Sequence, residues 1–128
     1  MQDNYEIVQK GFRILHPLMT AYIGREMKRV YHDGWWQQVL MTLSDQSRDL
    51  PDHGDYEELM DSLDIANCLR LIDREWGNVF RTKLSIDYRT WSKELMGVRN
   101  NTAHIGQQDF DSSYAERALD TMALLSEA

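Results

Sequence analysis

The sequence predicts an all-α fold, an antiparallel bundle of four to five helices. Three observations carry that expectation. Apolar residues recur at three- and four-residue spacing through most of the chain. Capping residues and breakers, among them Asp33-Gly34, Pro51, Gly54, Asp55 and Gly106, punctuate those periodic stretches. The composition, 42% apolar and 27% charged, is that of an ordinary globular protein. At 128 residues the chain reads as one domain, 1–128, long enough to bury a core.

The first helix spans Asn4 to Tyr31, where Val8, Phe12, Leu15, Met19, Tyr22 and Val30 form one stripe, widened by Ile23 and Met27. Pro17 is expected to kink or split it near His16, because proline cannot donate to Arg13 and crowds that carbonyl. His16 and His32 have no second ligand at i+3 or i+4 and read as structural or surface residues. Asp33 can cap a second helix opened by Trp35-Trp36 and continued by Val39, Leu40 and Leu43. Paired tryptophans can stack on bases, but large aromatics more often anchor cores or interfaces. The polar stretch from Ser44 to Gly54 is the longest loop.

Asp55 and Glu58 form a capping box ahead of a helix that should run unbroken to about Asn78. Leu59, Leu63, Ala66, Leu69, Ile72 and Trp76 give it a core-facing rhythm. Asp64 and Asn67 border that stripe, either as a satisfied polar pair or as polar groups near a cleft. After a turn over 77–87, capped by Ser85 or Asp87, another helix presents Tyr88, Trp91, Leu95 and Val98 on one face. Arg89 and Lys93 share a different face. Asp109 or Asp111 starts the last helix, whose inner face is Tyr114, Ala118, Met122 and Leu125.

The net charge of −7 argues against general nucleic-acid affinity, because phosphate contacts need local cations. The charge is uneven. Residues 41–64 hold eight acids against one arginine, while residues 70–99 hold seven Lys/Arg against four acids. The one clearly basic stretch leads into Arg99, although a charge run is usually just a solvated face. No apolar run approaches membrane-spanning length, and no secretory leader is visible. The single cysteine, Cys68, permits no internal disulfide and reads as a small buried hydrophobe, which suits a cytoplasmic setting. Phosphate-binding glycine loops, zinc spacings and serine-hydrolase elbows are missing, so no metal or cofactor is expected.

The chemistry-bearing stretch is Gly97-Val98-Arg99-Asn100-Asn101-Thr102-Ala103-His104-Ile105-Gly106. Arg99 is a permanent cation with a donor fork matched to phosphate oxygens. His104 can exchange a proton near neutral pH. Asn100 and His104, four apart, share a helix face, whereas Arg99 and His104 diverge by about 140° on an ideal helix. Their convergence on one substrate needs a helix end near Ala103 or a second copy of the chain. Gly106 is the expected C-terminal stop.

Arg-Asn-x-x-x-His late in a small helical chain resembles the signature of the HEPN superfamily. The flanking Arg89-Thr90-Trp91, Leu95-Met96-Gly97-Val98 and Tyr114 to Met122 are similar to the branch typified by a eukaryotic nuclear RNA-surveillance endonuclease, whose bacterial members occur in phage-defence proteins. The resemblance implies a metal-independent RNA endonuclease, dimeric, with a composite site. Attack by the ribose 2′-OH would leave a 2′,3′-cyclic phosphate and a 5′-OH. Arg99, Asn100 and His104 would be catalytic, and Arg89, Lys93, Asp64 and Asn67 would contact RNA. The partners implied are RNA, a second copy of the chain, and other domains of a longer parent protein. The alternative is a catalytically inactive dimerisation or sensing module, in which Arg99 pairs with an acid and His104 caps a helix.

Overall fold

The structure, a computed structural model, describes residues 3–45, 49–104 and 109–128, with 103 and 104 described by backbone alone. Among these residues there are six α-helices and no strand: α1 (Asp3–Tyr31), α2 (Trp35–Thr42), α3 (Tyr56–Ser62), α4 (Ile65–Arg74), α5 (Ile86–His104) and α6 (Ser112–Leu125). The all-α expectation holds. The helix count exceeds four to five because the segment expected to run from Asp55 to Asn78 breaks at Leu63–Asp64. Leu63 and Asp64 are extended there, and the Asp64 carboxylate accepts the Asn67 N–H at 2.7 Å. In return the Asn67 carboxamide oxygen accepts the Asp64 N–H at 2.9 Å. Short polar side chains offer the backbone an alternative to the helix ladder, and here that alternative wins.

Pro17 does not split α1, which is continuous for 29 residues. The stripe from Val8 to Met27 is buried, and that packing offsets one missing intrahelical bond. Gly24 lets α3 come close: a Cβ there would run into the Tyr56 hydroxyl and the Met60 sulfur. Asp33 does not cap α2. It lies in a 3-10 turn (His32–Gly34), and no side chain caps the helix behind it. Trp35 and Trp36 are both buried, their rings 5.5 Å apart, and the Trp36 indole N–H donates to Pro51 O at 2.8 Å. They are core anchors, not a base-stacking platform. Asp55 caps α3 as expected, accepting the Glu58 N–H at 2.9 Å.

Behind α4, residues Trp76–Phe80 form a π-turn, closed by Arg81 N–H donating to Trp76 O at 2.8 Å. The buried Glu75 sits at its entry. Tyr31 Oη donates to it at 2.6 Å, Gln38 Nε2 at 3.0 Å and Thr42 Oγ1 at 2.5 Å. Burial first, and the bond to Glu75 second, push the Tyr31 phenol up to about 12, so it stays a donor at neutral pH. This network fastens α1 and α2 to the end of α4.

Four helices make the bundle. α5 packs against α4 and α6, and α1 packs against the same two from the opposite side. Side-chain pairs give their directions. Glu94 meets Arg117 and Asn101 meets Tyr114, so α5 runs antiparallel to α6, while α4, with Asp64 beside Arg13 and Ile72 beside Met19 and Tyr22, runs the same way as α1. Asn4 bonds to Phe110 O, and Gly11 touches Leu119 and Met122, so α1 and α6 run the same way. The start of α1, the end of α5 and the start of α6 therefore meet at one end of the bundle. α4 begins short of that end: its first turn lies beside His16, whose Nε2 bonds to Leu63 O at 2.5 Å.

Candidate functional site

α5 carries the motif because its inner face is apolar up to the motif's edge. Leu95 and Val98 are buried, as is Thr102, whose hydroxyl donates to Arg99 O at 2.6 Å. Arg99 is half-buried and Asn100 exposed. α5 runs from Ile86 to His104, so its last described residue is one position past Ala103, where the spacing calls for a helix end. Arg99 and His104 therefore occupy positions about 140° apart on one helix. Asn100 and His104 fall on a shared face, as their spacing requires. The side chain of His104 and the stop at Gly106 lie outside the described residues.

Arg99 has no ion-pair partner among the described residues. The other cations of α5 do. Arg89 Nε lies 2.8 Å from Asp73 Oδ1, and Lys93 Nζ lies 3.6 Å from the same oxygen. Along the helix axis they stand about 15 Å and about 9 Å from Arg99, toward the opposite end of the bundle. The structure does not group Arg89 and Lys93 with Arg99. It compensates them with a carboxylate instead.

Asp64 is different. Ten residues carry α5 from Arg89 to Arg99, about 15 Å, and nine carry α4 back from Asp73 to Asp64, about 14 Å. Antiparallel packing runs Asp64 back toward the level of Arg99, but α4 begins beside His16, short of that end, and no hydrogen bond or ion pair joins Asp64 to Arg99 among the described residues. Its carboxylate caps α4 through one oxygen, and Asn67 is buried in that cap. A carboxylate offers about four acceptor positions, so Asp64 keeps capacity that Asn67 lacks.

Two anchors hold this end together, and neither is legible from helical periodicity. Asn101 Nδ2 donates to Tyr114 Oη at 2.6 Å, tying α5 to α6. Of Asp109 and Asp111, the two expected starts of the last helix, Asp109 instead receives the first turn of α1. It accepts the N–H groups of Asn4 (2.9 Å), Tyr5 (2.7 Å) and Phe110 (2.8 Å). Asp111 is the actual cap of α6. Burial works to raise the Asp109 pKa, but the backbone donors of Asn4, Tyr5 and Phe110 outweigh it and hold the carboxyl below its usual range. A depressed carboxyl pKa stabilises the fold above the unfolded value and loses that contribution as pH falls through the folded one. Asp109→Ala should therefore speed hydrogen exchange at the Asn4 and Tyr5 amides at neutral pH. The difference from wild type should vanish in acid.

A groove opens where α4 stops short, lined by Gln9, Phe12, Arg13 and His16 of α1 with Asp64 and Ile65, and offering about 460 Å³. Sequence reasoning did not single out Arg13. It shares no apolar stripe and no motif, and only the packing of α4 on α1 shows that it faces a groove. Among the described residues no group of three or more His, Cys, Asp or Glu could hold a metal ion. Among them, no helix is long and apolar enough to cross a membrane.

Comparison with known families gives one finding. The model of the Swt1-like HEPN family matches residues 10–128. No curated protein and no solved structure matches the chain.

Proposed function

The chain belongs to the Swt1-like HEPN family, and from that membership we propose that it is a metal-independent RNA endonuclease acting as a dimer. Membership makes it a HEPN-type RNA-cleaving or RNA-binding module. The observation that carries the finer reading is the state of Arg99. It is a half-buried arginine without a carboxylate partner among the described residues, set toward the bundle end where three helix termini meet. Arg74, Arg89 and Arg117, by contrast, each pair with a carboxylate.

The chemistry follows from what RNA cleavage requires. The 2′-OH must lose a proton as it attacks phosphorus, the crowded phosphorane must be stabilised, and the departing 5′-oxygen must gain a proton. Arg99 supplies the electrostatic part, with its donor fork on the phosphoryl oxygens. His104 supplies a proton-transfer step, an effect of about 10²–10⁴-fold. Asn100, on the His104 face, orients the imidazole or holds a phosphate oxygen. The products are a 2′,3′-cyclic phosphate and a 5′-OH.

The spacing supports a dimer. Arg99 and His104 hold positions about 140° apart on α5, and a two-fold partner can bring a complementary pair to the same phosphate. One imidazole also serves poorly as base and acid on opposite sides of phosphorus. Ile7, Ile14 and Leu18 stand exposed along one face of α1, an apolar surface suited to a second copy. Phage defence, within a longer parent protein, is the setting that the family's bacterial members suggest.

The test is incubation of labelled RNA with the purified protein in EDTA. Cleavage is expected, and His104→Ala should lower its rate by at least about a hundredfold. A requirement for added metal, or undiminished cleavage by the variant, overturns the proposal.

A further inference from the structure

We propose that two copies of the chain dock through the face shared by α1 and α6, about a two-fold axis that runs parallel to the helices. The inference rests on the dimer reading above and adds which face is used and how the two bundles are oriented.

The face is a shallow apolar groove. Ile14 and Leu18 of α1 and Leu119 and Ala123 of α6 line it, and it offers about 180 Å³. Ile7 stands about two turns before Ile14 and extends the same row toward the start of α1. Ile7, Ile14 and Leu18 are 46%, 62% and 52% exposed, and they are half of the six large apolar side chains that stand exposed among the described residues. Gly11 lies within this row. A Cβ there would run into Met122 and Leu119, so its bareness lets α6 lie close beside α1. Exposed apolar side chains scattered singly need no explanation, but three in one row beside a groove mark a contact surface.

Charge selects the occupant. Lys10 stands exposed on the α1 margin of the groove, and Glu116 and Asp120 stand exposed on the α6 margin. None of the three has an ion-pair partner among the described residues. Gly11 lies against Leu119 and Met122, and the two helices run the same way, so Lys10 stands within about 5 Å of both acids along the bundle axis. One margin is therefore positive and the other negative at one level. A half-turn about an axis along the groove sets each α1 on the other copy's α6 and preserves that level. Lys10 of each copy then meets Glu116 and Asp120 of the other, and the two apolar rows close on each other. A half-turn across the groove would instead stack α6 on α6 and set those acids against their own copies. A patch that complements itself is what a two-fold interface requires, and an unrelated partner needs no such match between the two margins. The same half-turn leaves the start of α1, the end of α5 and the start of α6 of both copies at one end of the dimer, as a composite site needs.

The experiment is sedimentation of the purified chain over a range of concentrations, for wild type, Ile14→Lys, Lys10→Glu and the double variant Lys10→Glu/Glu116→Lys. Wild type should sediment as a dimer. Ile14→Lys should raise the dimer dissociation constant at least about a hundredfold, because each copy brings an ammonium into the apolar row. Its helix content by circular dichroism should match wild type, because Ile14 is exposed in the single chain. Lys10→Glu should raise the constant at least about tenfold, and adding Glu116→Lys should return it to within about threefold of wild type. If wild type is a dimer and Ile14→Lys leaves it intact, the face is wrong and the dimer reading stands. If Ile14→Lys separates the copies but the charge swap restores nothing, the orientation is wrong. If wild type is a monomer, both readings fall, and the groove is left to another domain or protein.

Discussion

Arg99→Ala is expected to lower the rate of RNA cleavage by about 10²–10³-fold while leaving the fold intact. The size follows from removing one preorganised donor group aimed at charge that develops on phosphorus. The intact fold follows from the structure. Arg99 forms no ion pair among the described residues, so its loss strands no buried carboxylate. Its backbone carbonyl, which receives the Thr102 hydroxyl, is untouched by the substitution. Thermal melting should therefore overlay wild type while single-turnover cleavage falls. Arg99→Lys should recover only part of the rate, because an ammonium keeps the charge but loses the planar fork. A melting temperature that drops along with activity would instead identify Arg99 as a structural residue.

The second large effect concerns stability. Phe80→Ala should cost about 3–5 kcal/mol by chemical denaturation. Phe80 is fully buried in the π-turn behind α4, its ring 6.1 Å from that of Tyr22 on α1. The turn around it is held by backbone bonds and by the Glu75 network, so it cannot collapse freely into the space left behind. A residual cavity is the expected result, and the cost grows with its volume. A loss below about 1 kcal/mol would mean that the π-turn yields, and that Phe80 is not the anchor its burial implies.

Most of the fold was legible because helical periodicity reports burial directly. The stripe on α1 from Val8 to Met27 and the faces of α5 and α6 became core as their spacing required. The failures share one cause: local signals were weighed without the tertiary contacts that override them. Pro17 signals a kink or a split, and the split does not occur, because the buried face of α1 holds it. The rhythm from Leu59 to Trp76 signals one helix, yet Asp64 and Asn67 bond to each other's backbone and divide it. Asp109 and Asp111 both read as caps for the last helix; Asp111 is that cap, and Asp109 caps α1 across a gap of more than a hundred residues. Such pairings depend on where the chain returns to itself, which periodicity does not encode.

The site was legible to a similar degree. Arg99, Asn100 and His104 follow from a motif, and the bundle end that carries them follows from the order of the helices. Of the residues proposed to support RNA binding, Arg89 and Lys93 stand ten and six residues of helix from Arg99, and both lie against Asp73.

The most direct measurement of the central claim is the chemistry of the RNA ends produced in EDTA. Fragments carrying a 2′,3′-cyclic phosphate and a 5′-hydroxyl, made by wild type and not by Arg99→Ala or His104→Ala, are the predicted result. Fragments with a 5′-phosphate, or cyclic-phosphate ends made equally well by both variants, would contradict it.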